Sequence, residues 1–278
     1  MKNIVFPAEY FNVKDTLSCG QVFRFFKAED GYNIISLDKC AHLSEKNGFV
    51  TITVEDKDEE YFKTYFDLKK DYSEIVSFAF SEKDEIVRKS AALGKGVRIL
   101  RQDKTETLFS FIVSQNNNIA RIKGIIERLC AALGEKREFM GEEYYAFPSV
   151  VSMAKASLDF YKSIGLGYRA PYVKQLAEEM ESGLNINEFS ALDTPSLKKR
   201  LTSIYGVGPK VADCVVFFGF NRTDAFPVDT WIEKVYVEDF KGTIKDRKKI
   251  AEYFVEKYGK NAGYIQQYLF YYKRSLKA

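Results

Sequence analysis

The 278-residue sequence has no long uninterrupted apolar run, a single histidine, and four cysteines that never come close together along the chain. The first absence excludes a membrane-spanning helix. The opening residues, Met1 to Pro7, also lack the apolar stretch of a signal peptide. A cytoplasmic protein with no membrane partner is therefore expected. Cys19, Cys40, Cys130 and Cys214 show no paired metal-ligand spacing, so reduced thiols are expected and no metal or other cofactor. His42 lies in a strand-rich stretch and is expected to take no part in catalysis. Internal repeats and low-complexity tracts are absent too, which excludes a solenoid or a disordered tail-like chain.

What is present is the balance of an ordinary globular protein, 46% hydrophobic and 29% charged, long enough for a large core in two or three packed lobes. The net charge of +3 is unevenly spread. Residues 241–278 hold ten Lys or Arg against three Asp or Glu, a local +7 that leaves −4 for the rest. Lys245, Arg247, Lys248 and Lys249 form the densest run. It reads either as a solvated helix face or as part of a phosphate-facing surface whose binding weakens with salt.

Residues from about 20 to 55 read as strands. Val22–Lys27 and Tyr32–Leu37 flank an Asp30-Gly31 turn signal, and Asn47-Gly48 precedes the alternating, β-branched run Phe49–Val54. An acidic helix start follows at Glu55–Glu60, with Tyr61, Phe62, Tyr65 and Phe66 at helical spacing. Beyond about residue 96 the pattern is helical: Thr105–Val113, Ile119–Leu133, Pro171–Glu181, a helical pair over 195–219, and Ile250–Leu276.

The helical pair encloses Gly206-Val207-Gly208-Pro209-Lys210, followed nineteen positions later by the aspartate of Pro227-Val228-Asp229. Thr194 is placed to cap the first helix, with Pro195 at its tolerated first position. Two glycines permit positive φ and bare amides that a phosphate can approach. Lys210 falls in the first turn of the second helix, where the macrodipole disfavours positive charge, and only a neutral amine attacks carbon. Asp229 precedes Thr230-Trp231-Ile232-Glu233 as an N-cap, although Thr230 with Glu233 also has capping-box spacing.

Gly206 to Asp229 resembles the helix-hairpin-helix and Gly/Pro-Asp signature of the base-excision DNA glycosylases, in the 8-oxoguanine DNA glycosylase/lyase branch. Further matching segments run in the family's order: Cys19-Gly20-Gln21-Val22-Phe23-Arg24-Phe25, Gly96 to Asp103, Asn116-Asn117-Asn118-Ile119-Ala120-Arg121, Gly165-Leu166-Gly167-Tyr168-Arg169-Ala170, and Gln266 with Phe270. The resemblance implies an α+β fold. An antiparallel β-domain with flanking helices (1–95) would pack on two mostly helical lobes (96–278), with DNA at the cleft. No cysteine follows Cys214, so the iron–sulfur cluster of some superfamily members is not expected. The short N-terminus and the end at Ala278 suggest a compact bacterial or archaeal form without organelle-targeting tails, and separately a monomer is expected.

The same resemblance assigns roles. Lys210 attacks C1′ of a flipped nucleotide, forms a Schiff base and nicks 3′ to the abasic site by β-elimination. Asp229 supplies the electrostatic partner. Gly20 offers a backbone carbonyl to N7, a donor in 8-oxoguanine and an acceptor in guanine, for roughly 1–3 kcal/mol of discrimination. Gln266 reads the pairing edge, while Phe270 and Cys214 stack on opposite faces of the base. On residue type alone, Gly20 is a turn glycine and Phe270 and Cys214 are core residues. Asn116 fills the vacated space, Arg121 and Arg169 donate to the orphaned cytosine, and Tyr168 wedges beside it. Without the resemblance, Asn118 caps the helix that follows and Arg121 is a surface residue. The backbone of Gly206, Val207 and Gly208 grips a phosphate. Two positions depart from many eukaryotic members: Trp231 stands where they have histidine and Lys273 where they have an acid, a pair replaced together that bears on phosphate contacts and strand cleavage. Two other readings are open: excision of a different oxidised purine, or DNA binding without catalysis.

Overall fold

The computed structural model describes residues 1–276. Five strands form one antiparallel sheet: β1 (Lys2–Pro7), β2 (Phe25–Ala28), β3 (Gly31–Ser36), β4 (Lys39–Lys46) and β5 (Phe49–Val54), in the order β1-β5-β4-β3-β2. The Asn47-Gly48 turn fixes the β4–β5 register, pairing Lys46 with Phe49 and Leu43 with Ile52. β1 lies outside the expected strand region. It pairs Ile4 with Ile52 and covers the free edge of β5.

Helices surround the sheet and then build the rest. α1 (Val13–Ser18) enters before β2, and α2 (Glu59–Tyr65), α3 (Ser73–Ser81) and α4 (Glu85–Gly94) follow β5. Next come α5 (Lys104–Ser114) and α6 (Ile119–Leu133), a small hairpin of β6 (Lys136–Phe139) and β7 (Glu142–Tyr145), then α7 (Val150–Lys155), α8 (Leu158–Ser163) and α9 (Ala170–Glu181). α10 (Thr194–Thr202) and α11 (Pro209–Cys214) are the helical hairpin pair, and α12 (Thr230–Lys234), α13 (Arg247–Tyr258) and α14 (Ala262–Ser275) end the chain. No helix among the described residues is long and apolar enough to cross a membrane.

Three details correct the sequence expectations. The helical pattern over 250–276 is two helices, not one, because Gly259 takes φ +53° and breaks it. The β6–β7 hairpin interrupts a region expected to be helical throughout. Asp193, not Thr194, caps α10 by accepting from Ser196 N at 2.8 Å, and Thr194 Oγ1 turns to Asp224 instead. The α6 bounds agree with expectation: Asn118 accepts from Arg121 N, and the helix stops before Gly134.

Besides a small cluster of Ile35, Cys40, Phe139 and Tyr144, the apolar residues gather in two large cores. The smaller lies under the sheet, where Leu43, Val50, Ile52 and Val54 pack on Phe62, Phe66 and Leu100. The larger spans the helical region and takes in Ile75, Ala79, Val87 and Ala91 of α3 and α4, so these helices pack with the later ones. Buried arginines join the two. Arg24 Nη1 donates to Glu106 Oε1 at 3.2 Å and to Leu37 O at 3.1 Å, and Arg24 Nη2 donates to Tyr145 O. The second oxygen of Glu106 accepts from Leu37 N at 2.6 Å. Arg98, 1% exposed, lies 4.0 Å from the Tyr72 ring centroid and donates to Phe66 O at 3.0 Å. Each guanidinium is thus matched by carbonyls, a carboxylate or an aromatic face, which makes its burial tolerable.

Candidate active site and DNA interface

Three segments converge at the cleft: the hairpin with α11, the turn into α12, and α14. In the hairpin, Gly206 adopts φ +82°, and a Cβ there would stand 2.3 Å from the Tyr172 ring, so no other residue fits. Gly208 is extended at φ −83° and faces open space, so only one of the two glycines uses a left-handed backbone. Val207 is an apolar anchor with its N–H bonded to Ile204 O at 3.0 Å. That amide is engaged within the turn and is not free to meet a phosphate. Lys198 of α10 and Asp213 of α11 brace the two helices at 2.7 Å.

Pro209 opens α11, and Lys210 follows half-buried above an aromatic floor. Its Nζ stands 5.5 Å from the Phe111 ring centroid. Phe111 stacks on Phe218 at 5.5 Å and meets Phe23 edge-on at 5.6 Å. One turn on from Lys210 is Cys214, buried and near enough to the lysine for its charge to act on the thiol. Burial pushes the Cys214 thiol up to about 11, and the nearby Lys210 cation opposes that rise only in part. The thiol is therefore neutral near pH 7 and presents a small polarisable surface. Beyond Cys214 the helix continues as a π turn, Val215–Gly219.

Asp229 caps α12, as its sequence position suggests. One carboxylate oxygen accepts from Trp231 N and Ile232 N, both at 3.0 Å. The competing capping box does not form, and Glu233 pairs with Arg247 at 2.7 Å. Burial raises the Asp229 carboxyl above its ordinary range, opposed by the Ile232 N–H, the Lys210 cation and the Trp231 N–H in turn. Lys210, Cys214 and Asp229 thus share one electrostatic neighbourhood. Arg247 is engaged with Glu233, and Asp246 caps α13. Lys245, Lys248 and Lys249 are exposed.

α14 brings Gln266 and Phe270 one turn apart. Gln266 is buried, and its Nε2 donates to Pro227 O at 3.1 Å, tying α14 to the segment that carries Asp229. Its Oε1 is buried without a partner. Gly263 lets α14 close onto the helix that bears Cys214: a Cβ there would meet the Phe217 ring at 2.5 Å. Opposite Phe270 lies Gly20 at φ +90°, where a side chain would meet the Phe270 ring at 3.3 Å. Gln21 fixes the segment leaving Gly20, donating to Thr16 O at 2.9 Å and Arg98 O at 2.7 Å.

The residues expected at the opposite strand cluster on a second surface. Asn116 is exposed at φ +46°. Arg121 is also exposed, reaching Gly165 O at 3.5 Å. Tyr168 is 52% exposed and donates to Gln115 O at 3.3 Å. Arg169 departs from expectation. It is 3% exposed, with Nε donating to Gln115 O at 2.7 Å and Nη2 to Asn116 O at 2.9 Å. The guanidinium therefore holds the loop rather than facing outward, because the kinked loop aims its carbonyls inward. Between this surface and the hairpin runs a groove of about 540 Å³, lined by Gln115, Tyr172, Ser203, Tyr205, Gly206 and Gly208.

Sequence reasoning missed Gln115, Phe111 and Tyr172. Gln115 links the two surfaces: its Nε2 donates to Gly206 O at 2.9 Å while its own carbonyl accepts from Arg169. Its place directly before Asn116 was the available signal. His42 lies in β4, bonded through Nδ1 to Asn33 at 2.8 Å. The replaced pair is also accounted for. Lys273 bridges Asp239 at 2.7 Å and Glu238 at 2.8 Å, and Trp231 carries the Lys234 ammonium 5.5 Å from its ring centroid.

Comparison with known proteins agrees with this arrangement along the chain. Residues 3–108 match the 8-oxoguanine DNA glycosylase N-terminal domain, and residues 109–260 match the HhH-GPD superfamily of base excision DNA repair proteins. The Methanothermobacter thermautotrophicus protein named probable N-glycosylase/DNA lyase is 31% identical over 235 residues, covering 77% of this chain and 74% of its own. The Arabidopsis thaliana N-glycosylase/DNA lyase OGG1 is 33% identical over 203 residues, covering 69% of this chain and 56% of its own. A crystal structure of Clostridium acetobutylicum 8-oxoguanine glycosylase/lyase, bound to double-stranded DNA with cytosine opposite 8-oxoguanine, superposes with a TM-score of 0.92 at 36% identity, covering 97% of this chain and 94% of that one. The chain belongs to the 8-oxoguanine DNA glycosylase family of the helix-hairpin-helix base excision repair superfamily.

Proposed function

We propose that this protein flips 8-oxoguanine out of duplex DNA, excises it and cleaves the strand at the resulting abasic site. The observation that carries the reading is the convergence of Lys210, Cys214 and a backbone-anchored Asp229. A DNA-gripping hairpin needs none of the three. The neutral Lys210 amine attacks C1′ as the C1′–N9 bond breaks and the base departs with the bonding pair. Asp229 stabilises the positive charge that develops at the sugar. The secondary amine then opens the sugar to an imine, which acidifies the C2′ hydrogen. Loss of that proton expels the 3′ phosphate, and hydrolysis of the imine frees the lysine.

Base choice follows from the pocket. The Gly20 carbonyl accepts from N7–H of the lesion and repels the N7 lone pair of guanine, while Gln266 meets the pairing edge with its unmatched Oε1. Asn116 and Arg121 stand ready for the orphaned cytosine, and Arg169 joins them after releasing the Gln115 and Asn116 carbonyls. Borohydride trapping tests the mechanism. Wild-type protein with an 8-oxoguanine:cytosine duplex should give a covalent adduct that Lys210→Gln abolishes, with excision lowered more than about a thousandfold. An adduct that survives the substitution would refute the lysine nucleophile.

A further inference from the structure

α14 carries a second stripe beside Gln266 and Phe270. Gln267 Nε2 donates to Cys19 O at 3.1 Å, Tyr271 Oη to Asp15 Oδ1 at 2.6 Å, and Arg274 Nη2 to Ser18 O at 3.1 Å. The stripe fastens the segment leading into Gly20. Arg274 also reaches further. Its guanidinium carbon is 5.5 Å from the Phe270 ring centroid, and Nη1 is 3.2 Å from where a Cβ on Gly20 would stand. Ile119 Cδ1 closes the same spot at 3.6 Å. Nη1 is buried and has no acceptor. A buried N–H of this kind is costly unless something supplies the missing oxygen. Arg24 and Arg169, both more enclosed, turn their N–H groups to carbonyls or a carboxylate.

Beside Gly20, Ile119 and Phe270 there is thus an unmatched donor on Arg274, with an unmatched acceptor on Gln266 of the same helix. We propose that Arg274 is a specificity-determining residue of the base pocket. Its Nη1–H donates to the exocyclic oxygen beside N7 of the flipped base, and its charge favours departure of that base as an anion. The oxygen at C8 is the fitting acceptor, because the one at C6 belongs to the pairing edge that Gln266 faces. Charge-assisted bonds are the stronger class, and this one strengthens as negative charge spreads onto the leaving base.

The inference rests on the excision reading above, so its test separates two reactions. Single-turnover excision of 8-oxoguanine opposite cytosine is compared with cleavage of a preformed abasic site, where no base fills the pocket. Arg274→Met should slow excision by roughly tenfold or more but abasic-site cleavage by less than about threefold. Arg274→Lys, which keeps the charge and loses the fork, should fall between wild type and Arg274→Met. Because Arg274 also holds Ser18, Tyr271→Phe is the parallel probe. It loosens the same segment without removing a pocket donor and should not reproduce the split. Equal loss of both reactions in Arg274→Met, the same split in Tyr271→Phe, or wild-type excision by Arg274→Met each overturns the inference alone. A wild-type protein that leaves 8-oxoguanine in place overturns the excision reading and this one with it.

Discussion

Asp229 and Arg169 are both charged, both bonded to backbone, and positioned in opposite senses. Asp229 accepts from amides two and three residues ahead of it, so its orientation follows from its own helix start. Arg169 donates to carbonyls of residues 115 and 116, far away in sequence, on a loop that turns at a positive-φ asparagine. The Asp229 side of the cleft is therefore held in place by its own backbone. On the proposed opposite-strand side, the Arg169 guanidinium would have to exchange protein carbonyls for base acceptors. On the proposed roles, preorganisation would be concentrated where bonds are made and broken, and adaptability where the orphaned partner is read.

The largest blow to that contrast after loss of the lysine comes from Asp229→Asn, which keeps the capping geometry and removes the charge. We expect excision to fall by roughly a hundredfold with little change in melting temperature. The wild-type pH–rate profile should carry an acid limb above the ordinary carboxylate range. Burial raises the Asp229 pKa, so its charge is present above that raised value and lost as pH falls through it. The limb should be missing in the asparagine variant, and an unchanged limb would assign it to another group.

A smaller loss is expected from Gly20→Ala. A methyl group at φ +90° strains the turn and meets Phe270, so excision should drop roughly tenfold or more while cleavage of preformed abasic sites is less affected. The subtlest test concerns the adaptable side. Arg121→Gln should narrow the preference for cytosine over adenine opposite the lesion by several-fold, leaving thermal stability within about 0.5 kcal/mol because Arg121 is exposed. Arg169→Gln should narrow it too and also destabilise the fold by about 1–3 kcal/mol, through the orphaned Gln115 and Asn116 carbonyls. If both arginines prove equally dispensable to stability, the asymmetry between the two sides fails.

Legibility in the sequence follows the same division. α6 could be bounded from Asn118 and Gly134, and Lys210 and Asp229 could be singled out, because caps, turn glycines and helix starts act over a few residues. The break at Gly259 is passed over by helical spacing, although Gly259-Lys260-Asn261 is a turn-like interruption, because that spacing resumes on both sides of it. The inward turn of Arg169 and the unmatched nitrogen of Arg274 were not legible at all. Each depends on where distant carbonyls point, and residue type says only that a donor exists. Lys273 shows the same limit: it marks a departure from the family pattern, but its bridges to Glu238 and Asp239 emerge only when α14 meets the second π turn, Val235–Asp239, which follows α12.

α5 deserves a last consequence. On one turn it offers Glu106 to Arg24 of the sheet region, and on a later turn it places Phe111 beneath Lys210. A lineage that exchanged the sheet for an unrelated one would strand a buried carboxylate on the helix that lies beneath Lys210. Shuffling the two halves therefore demands a compensating cation at the seam, and inheritance of the sheet is coupled to inheritance of the chemistry.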